Sequence, residues 1–298
     1  MTILIIGSKG FIGQHCQKYF SEQKHTIFGC DVVTDYAAEN YFLIDTVNSD
    51  YKEIFENNSF EVCINCSGAA EVSKSIRHPF RDFTLNTLNV FKILDAIRQY
   101  QPDCKFINLS SAAVYGNPQY LPIDEKHPAN PISPYGFHKL AAENICKEFS
   151  DLYGIKTINL RIFSAYGNGL KKQLFWDLFT KTKKSNEIEL FGTGNESRDF
   201  IHIDDIVQAV DLLINLNNFT IPVINLANGN EIFINSAAAA FYNNYNSSIK
   251  YKFNGHIKPG DPLNWKADIS VLKLLGYRQT LSFEDGIKQY TQWLEDLE

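Results

Sequence analysis

No stretch of this 298-residue sequence stays apolar for the ~18 residues that a bilayer-spanning helix needs. The N-terminus, MTILIIGSKG, lacks a basic leading segment, and its apolar run stops at Gly7, too short for the core of a signal peptide. The expectation is a cytoplasmic protein, with no membrane partner. Excess basic charge is lacking too: 28 lysines and arginines stand against 34 aspartates and glutamates, a net charge of −6 that argues against a nucleic-acid surface. The densest basic stretch, 181–184, reads as a solvated helix end. A second cysteine pair at zinc-ribbon spacing is missing after the C-x-x-C of Cys63 and Cys66, so no metal is expected. Those two cysteines lie in EVCINCS, which reads as a strand, where residues three apart face opposite ways. They and the other four cysteines read as reduced thiols.

What is present is alternation. TILIIG (2–7), HTIFGCD (25–31), YFLID (41–45), EVCINCS (61–67), CKFINLS (104–110) and IKTINLRIF (155–163) read as strands. Helical spacing runs between them, as in the stripe Phe83, Leu85, Leu88, Phe91, Ile93, Leu94 and Ile97. Several of the strands carry no polar alternation, as expected when helices cover both faces of a sheet. The pattern predicts an α/β fold, a Rossmann-type doubly wound parallel sheet, with ligands at the carboxyl ends of its strands. Beyond Phe163 the loops lengthen and the strand candidates shorten (188–191, 222–226). Residues 1–163 are expected to form a dinucleotide-binding domain and 164–298 a smaller C-terminal substrate-binding domain. The segment 198–217 is expected to pack back on the first.

GSKGFIG (7–13) closes the first strand and opens the first helix. Gly7, Gly10 and Gly13 allow a pyrophosphate close to the backbone, and the N–H groups around Phe11 and Ile12 face it at the helix N-terminus. Asp31 ends the second strand, where a carboxylate can take the ribose 2′-hydroxyl and repel a 2′-phosphate, which favours NAD. Lys9 could instead neutralise that phosphate, which leaves NADP open.

SPYGFHK (133–139) places Tyr135 and Lys139 on one helix face behind a Ser133 cap and Pro134. Among 15 tyrosines one such spacing is expected by chance, so its weight comes from context. A tyrosine base at neutral pH needs its pKa lowered by roughly 3 units, and a nearby ammonium favours phenolate. In NLSSAAVYG (108–116), Ser110 and Ser111 end a strand at the same sheet edge, within plausible reach of a substrate oxygen. No G-x-S-x-G elbow surrounds either serine, which excludes a hydrolase of that kind.

These residues resemble, over nearly the whole chain, the extended short-chain dehydrogenases/reductases of the nucleotide-sugar epimerase/dehydratase group. The motifs GSKGFIG, LIDT (43–46), INCSGAAEV (64–72), SSAAVYG, SPYGFHK, LRIFSAYG, GTGNESRDFIHIDDIV (192–207) and PGDPLNWKADISVLKLLGY (259–277) occur in the family's order. The resemblance implies that Tyr135 is the acid/base, that Lys139 binds the nicotinamide ribose and lowers the tyrosine pKa, and that Ser111 positions the sugar hydroxyl. It implies cofactor contacts from Asp45, Thr46, Cys66, Ser67, Gly68 and Asn86, and sugar-nucleotide contacts from Ser164, Arg198 and Asp261. Ala112 and Ala113 replace the Asp-Glu pair typical of its 4,6-dehydratases, which disfavours water elimination. Ser164 replaces a common asparagine, and Lys258 a common arginine. The expected reaction is NAD-dependent 4-epimerisation of a nucleotide sugar. A nucleotide 4-keto-6-deoxysugar reductase using NAD(P)H is the alternative, and a non-catalytic dinucleotide-binding regulator the remote one. Family habit implies a homodimer.

Overall fold

The computed structural model describes residues 1–46, 48–216, 219, 221–256 and 260–297, so Lys258 lies outside the described residues. The first half runs β1 (Thr2–Ile6), α1 (Phe11–Glu22), β2 (Thr26–Asp31), β3 (Tyr41–Leu43), α2 (Lys52–Asn57), β4 (Val62–Asn65), α3 (Val72–Arg77), α4 (Pro79–Phe83), α5 (Asn89–Tyr100), β5 (Lys105–Ser111), α6 (Pro134–Tyr153) and β6 (Thr157–Ile162). The second continues with β7 (Ser164–Tyr166), α7 (Gln173–Thr182), β8 (Glu187–Leu190), β9 (Ser197–His202), α8 (Ile203–Ile214), β10 (Val223–Leu226), β11 (Glu231–Phe233), α9 (Ile234–Tyr245), β12 (Lys250–Phe253), α10 (Ser270–Leu274) and α11 (Phe283–Glu295).

The apolar runs form a seven-stranded sheet in the order β3-β2-β1-β4-β5-β6-β10, each neighbouring pair parallel. Side chains alternate across it. Ile3, Ile5, Ile64 and Ile107 join one core with residues of α1 and α8, while Leu4, Ile6, Cys63 and Phe106 join another with residues of α5 and α6. Buried on both faces, the strands need no polar alternation. Polar side chains that do enter are paired: Asn65, Asn108 and Asn159, in register on β4, β5 and β6, form a side-chain ladder with bonds of 3.1 and 2.9 Å. Strand order reverses between β1 and β4, which opens a crevice at their carboxyl ends.

The helical pattern of 81–100 is continuous from α4 into α5 through a π-turn at Thr84–Leu88, a wider turn that recurs at functional sites and here holds Asn86. The segment 198–216 divides: Ser197–His202 makes β9, and His202 then caps α8, accepting the Asp204 N–H at 3.3 Å. Helix α8 packs on α1, and β10 adds to the large sheet beside β6 although it follows residue 163. A third core, built only from residues between 166 and 294, gathers Tyr166, Phe175, Phe200, Phe241 and Tyr290 under the sheet β11-β9-β7.

Candidate active site

The turn after β1 is shaped by close approach. A Cβ on Gly13 would fall 2.1 Å from the Gly7 carbonyl oxygen, so α1 can leave the strand this tightly only without a side chain there. Gly7, with φ +80°, lies against the Cys66–Ser67 backbone. Gly10 is the exposed member of the three. It caps α1 without a side-chain acceptor, and the first turn, Phe11 and Ile12 included, has no acidic residue, which leaves N–H groups suited to an anion. At the end of β2, Asp31 accepts the backbone N–H of Lys9 at 2.8 Å and of Val32 at 2.7 Å. Asp45 and Thr46 are exposed just beyond β3, with Asp45 accepting the Asn48 N–H at 2.7 Å. The Asp31 carbonyl accepts the Ile44 N–H, which brings this pair beside the end of β2.

On the other side of the crevice, β4 ends at Asn65, and Cys66 lies one residue past it. A hydrogen bond with Cys16 and burial push the Cys66 thiol well up, which disfavours a thiolate there, and Cys63 lies on the opposite face. Ser67 bonds back to Asn65 Oδ1 through its N–H (3.2 Å) and hydroxyl (2.6 Å). Gly68, with φ +119°, lies against Asn86, whose Oδ1 accepts the Ala69 N–H at 3.2 Å. Asn86 Nδ2 is buried without a protein partner. The cradle of bare glycines, the uncapped helix and this unanswered donor fit an extended dinucleotide.

Helix α6 carries both Tyr135 and Lys139. Ser133 caps it, accepting the Gly136 N–H at 3.2 Å, with Pro134 in the first turn. The Tyr135 N–H donates to Ser75 Oγ of α3 at 3.1 Å. One turn on, Lys139 Nζ stands 5.9 Å from the Tyr135 ring centre and donates to the Leu109 carbonyl at 2.8 Å. Ser111 closes β5 within hydrogen-bonding reach of Tyr135 and accepts the Ala113 N–H at 3.1 Å. Burial pushes the Tyr135 phenol up to about 12; Ser111 opposes this and Asp82 adds to it. The depression that the resemblance assigns to Lys139 is therefore not a property of the free site. Desolvation dominates there, and it also lowers Lys139 itself to about 8.

The neighbouring serine faces away. Ser110 Oγ donates to Glu143 Oε1 at 2.6 Å, and Glu143 is held by Arg161 at 2.6 and 3.0 Å, both buried. Three successive β5 residues thus meet three positions of α6: Leu109 with Lys139, Ser110 with Glu143, and Ser111 with Tyr135. Ser75, Glu143 and Arg161 were not singled out from sequence. Spacing offered a signal for Glu143, four residues beyond Lys139, and Arg161 is a lone charge in the apolar run INLRIF.

The second half of the chain meets the start of α6. Arg198 on β9 donates to the carbonyls of Ser197 (2.8 Å) and Leu263 (3.2 Å), and its guanidinium lies 5.5 Å from the Trp265 ring centre. Burial works against its charge, and Asp261 offsets part of that cost. Gly260, next to Asp261, packs on Val72 of α3 and on Ser133. Ser164, partly buried, opens β7, which pairs with β9 at Phe200. The structure thus links Asp261 and Arg198 to the start of α6.

A parallel sheet with a glycine crevice and a Ser–Tyr–Lys cluster beside it define an extended short-chain dehydrogenase/reductase. The chain belongs, more particularly, to the NAD dependent epimerase/dehydratase family, whose model matches residues 3–227. It is 29% identical over 318 aligned residues to a Methanocaldococcus jannaschii protein named "Putative UDP-glucose 4-epimerase", with 99% of this chain and 98% of that one covered. A UDP-glucuronate 4-epimerase of Thermodesulfobacterium geofontis is 26% identical, with coverage of 98% and 96%. The crystal structure of the Bacillus cereus UDP-glucuronic acid 4-epimerase with UDP-glucuronic acid and NAD superposes with a TM-score of 0.89 at 25% identity, covering 100% of both chains.

Proposed function

We propose that the protein interconverts the C4 epimers of a UDP-activated sugar, with NAD retained through the cycle. The observation that carries this reading is the convergence of Ser111, Tyr135 and Lys139 at the edge of the glycine crevice. Tyr135 takes the proton of the sugar hydroxyl, Ser111 holds the same oxygen, and Lys139 keeps positive charge beside the phenolate. With its pKa raised that far by burial, the phenol is almost wholly protonated at neutral pH. The burial that raises it also magnifies any cation placed beside it. Bound NAD would supply the hydride acceptor and, when oxidised, a further positive charge there. The same phenol returns the proton when the second epimer forms, so one group serves both directions. Arg198 offers its guanidinium to the diphosphate, with Ser164 and Asp261 at the same wall. Asp31, Asp45 and Thr46 serve the adenosine end, and Ser67, Gly68 and Asn86 the nicotinamide end.

The absence of carboxylates at Ala112 and Ala113 supports epimerisation over water elimination. Incubation of the purified protein with UDP-glucose, UDP-glucuronate and UDP-N-acetylglucosamine, followed by NMR of the sugar C4 proton, tests the reading. Epimer formation from at least one without net consumption of NAD is expected, and Tyr135→Phe is expected to lower it ~10²–10⁴-fold. Consumption of NAD(P)H with a 4-keto sugar and no epimer would establish the reductase alternative instead.

A homodimer and a cytoplasmic location form part of this proposal. Phe80, Phe83 and Phe91 from α4–α5 and Phe137 from α6 are exposed on elements that pack side by side, apolar surface suited to a second copy. Among the described residues no helix is long and apolar enough to cross a membrane, and all six cysteines are unpaired, as suits a reducing compartment.

A further inference from the structure

Lys9 is the cation of the glycine loop, placed where it could meet a phosphate on the adenosine ribose, but its ammonium is engaged. Lys9 Nζ pairs with the Asp35 carboxylate and stands 5.0 Å over the Tyr41 ring, while its backbone N–H is held by Asp31. Asp35 is itself fixed in place. Its Oδ1 accepts the N–H groups of Ala37 (3.0 Å) and Ala38 (3.2 Å), so that Oδ2 is the atom turned to Lys9. The Tyr41 hydroxyl, on the neighbouring β3, donates to the Val33 carbonyl and holds the same turn against the sheet. Both partners of the ion pair are only about a quarter exposed, at 24% and 29%.

We propose that Asp35 is a determinant of dinucleotide selectivity: by holding Lys9, it withholds that cation from the ribose 2′ position. A ribose hydroxyl needs only the acceptor that Asp31 offers. A 2′-phosphate, carrying nearly two negative charges, would meet the Asp31 carboxylate directly and find Lys9 neutralised by Asp35. The pair thus converts a residue that would otherwise favour NADP into a neutral part of the loop. This role differs from that of Asp31, which acts by direct contact, because Asp35 acts on the ligand only through Lys9.

The proposal rests on the dinucleotide reading of the glycine loop and is independent of the sugar chemistry. Its test is isothermal titration of the full-length protein, freed of bound nucleotide, with NAD and with NADP. In Asp35→Asn the NADP affinity is expected to rise ~10-fold, equivalent to ~1.4 kcal/mol, with NAD affinity changed less than about 2-fold on the same scale. Lys9→Gln alone is expected to leave NADP affinity unchanged, and in the double variant the gain should vanish. An unchanged NADP affinity in Asp35→Asn overturns the proposal. So does a gain that persists in the double variant, since loss of a negative charge would then suffice without Lys9. Absence of NAD binding to the unaltered protein would overturn the dinucleotide reading and this proposal together, whereas normal NAD binding with no Asp35 effect overturns this proposal alone.

Discussion

Lys139 is a charge the folded protein holds at a cost. Desolvation lowers it to about 8, whereas an unfolded chain holds the same proton up to ~10.4. Below pH 8 the native state must bury an ammonium; between 8 and ~10.4 the unfolded state binds more protons, so stability rises with pH across that window. Lys139→Met is accordingly expected to be more stable than the unaltered protein at pH 7, by of order 1–3 kcal/mol before the lost bond to Leu109 is deducted, and so to unfold at higher temperature. The difference should narrow as pH rises through the window, while epimerase activity is lost. Thermal melts of the nucleotide-free protein at pH 7 and pH 10 decide it. At this scale the sequence was most readable where spacing alone puts two side chains on one helix face, as with Tyr135 and Lys139. It was mute on Asp35, which meets Lys9 only because the turn after β2 folds back over the glycine loop.

The register of α6 on β5 decides whether those side chains meet. Arg161 and Glu143 bridge β6 to α6 in the interior, and removal of either partner strands the other charge. Arg161→Met is expected to cost ~3–5 kcal/mol in chemical denaturation, and the double variant Arg161→Met, Glu143→Leu less than either single change. Should the single changes prove harmless, the tie does not hold the helix. The glycine turn offers a second test: Gly13→Ala must push α1 off Gly7, with an expected loss of NAD affinity and at least ~1–3 kcal/mol of stability, read by titration and melting. Strands rich in apolar residues and helices with clear caps were legible from sequence, β1, β4, β6 and α6 among them. The short β7, β9 and β11 were not assembled in advance, because their pairing joins residues far apart in the chain. Helix α3, six residues long, leaves too little periodicity to stand out from the loop after β4.

At the scale of the whole molecule, the exposed aromatic face of α4–α6 predicts a dimer whose dissociation should follow from Phe137→Glu or Phe91→Glu, measured by sedimentation equilibrium. A monomer in the unaltered protein would refute the assigned face. The two halves are also less separable than a division at residue 163 implies. Helix α8 covers one face of the large sheet and β10 closes its edge, yet both arrive after the second half has begun.

That return has a consequence for how the chain is made. On a ribosome the first six strands emerge with an apolar edge along β6 and an uncovered face over α1. At a typical elongation rate, ~3–12 s pass before the residues of β10 follow. During that interval the nascent chain carries the kind of strand edge to which another chain can add. Slower translation between residues 163 and 223 should therefore lower the soluble yield more than an equal delay after residue 226, a comparison that synonymous codon changes in each interval would settle.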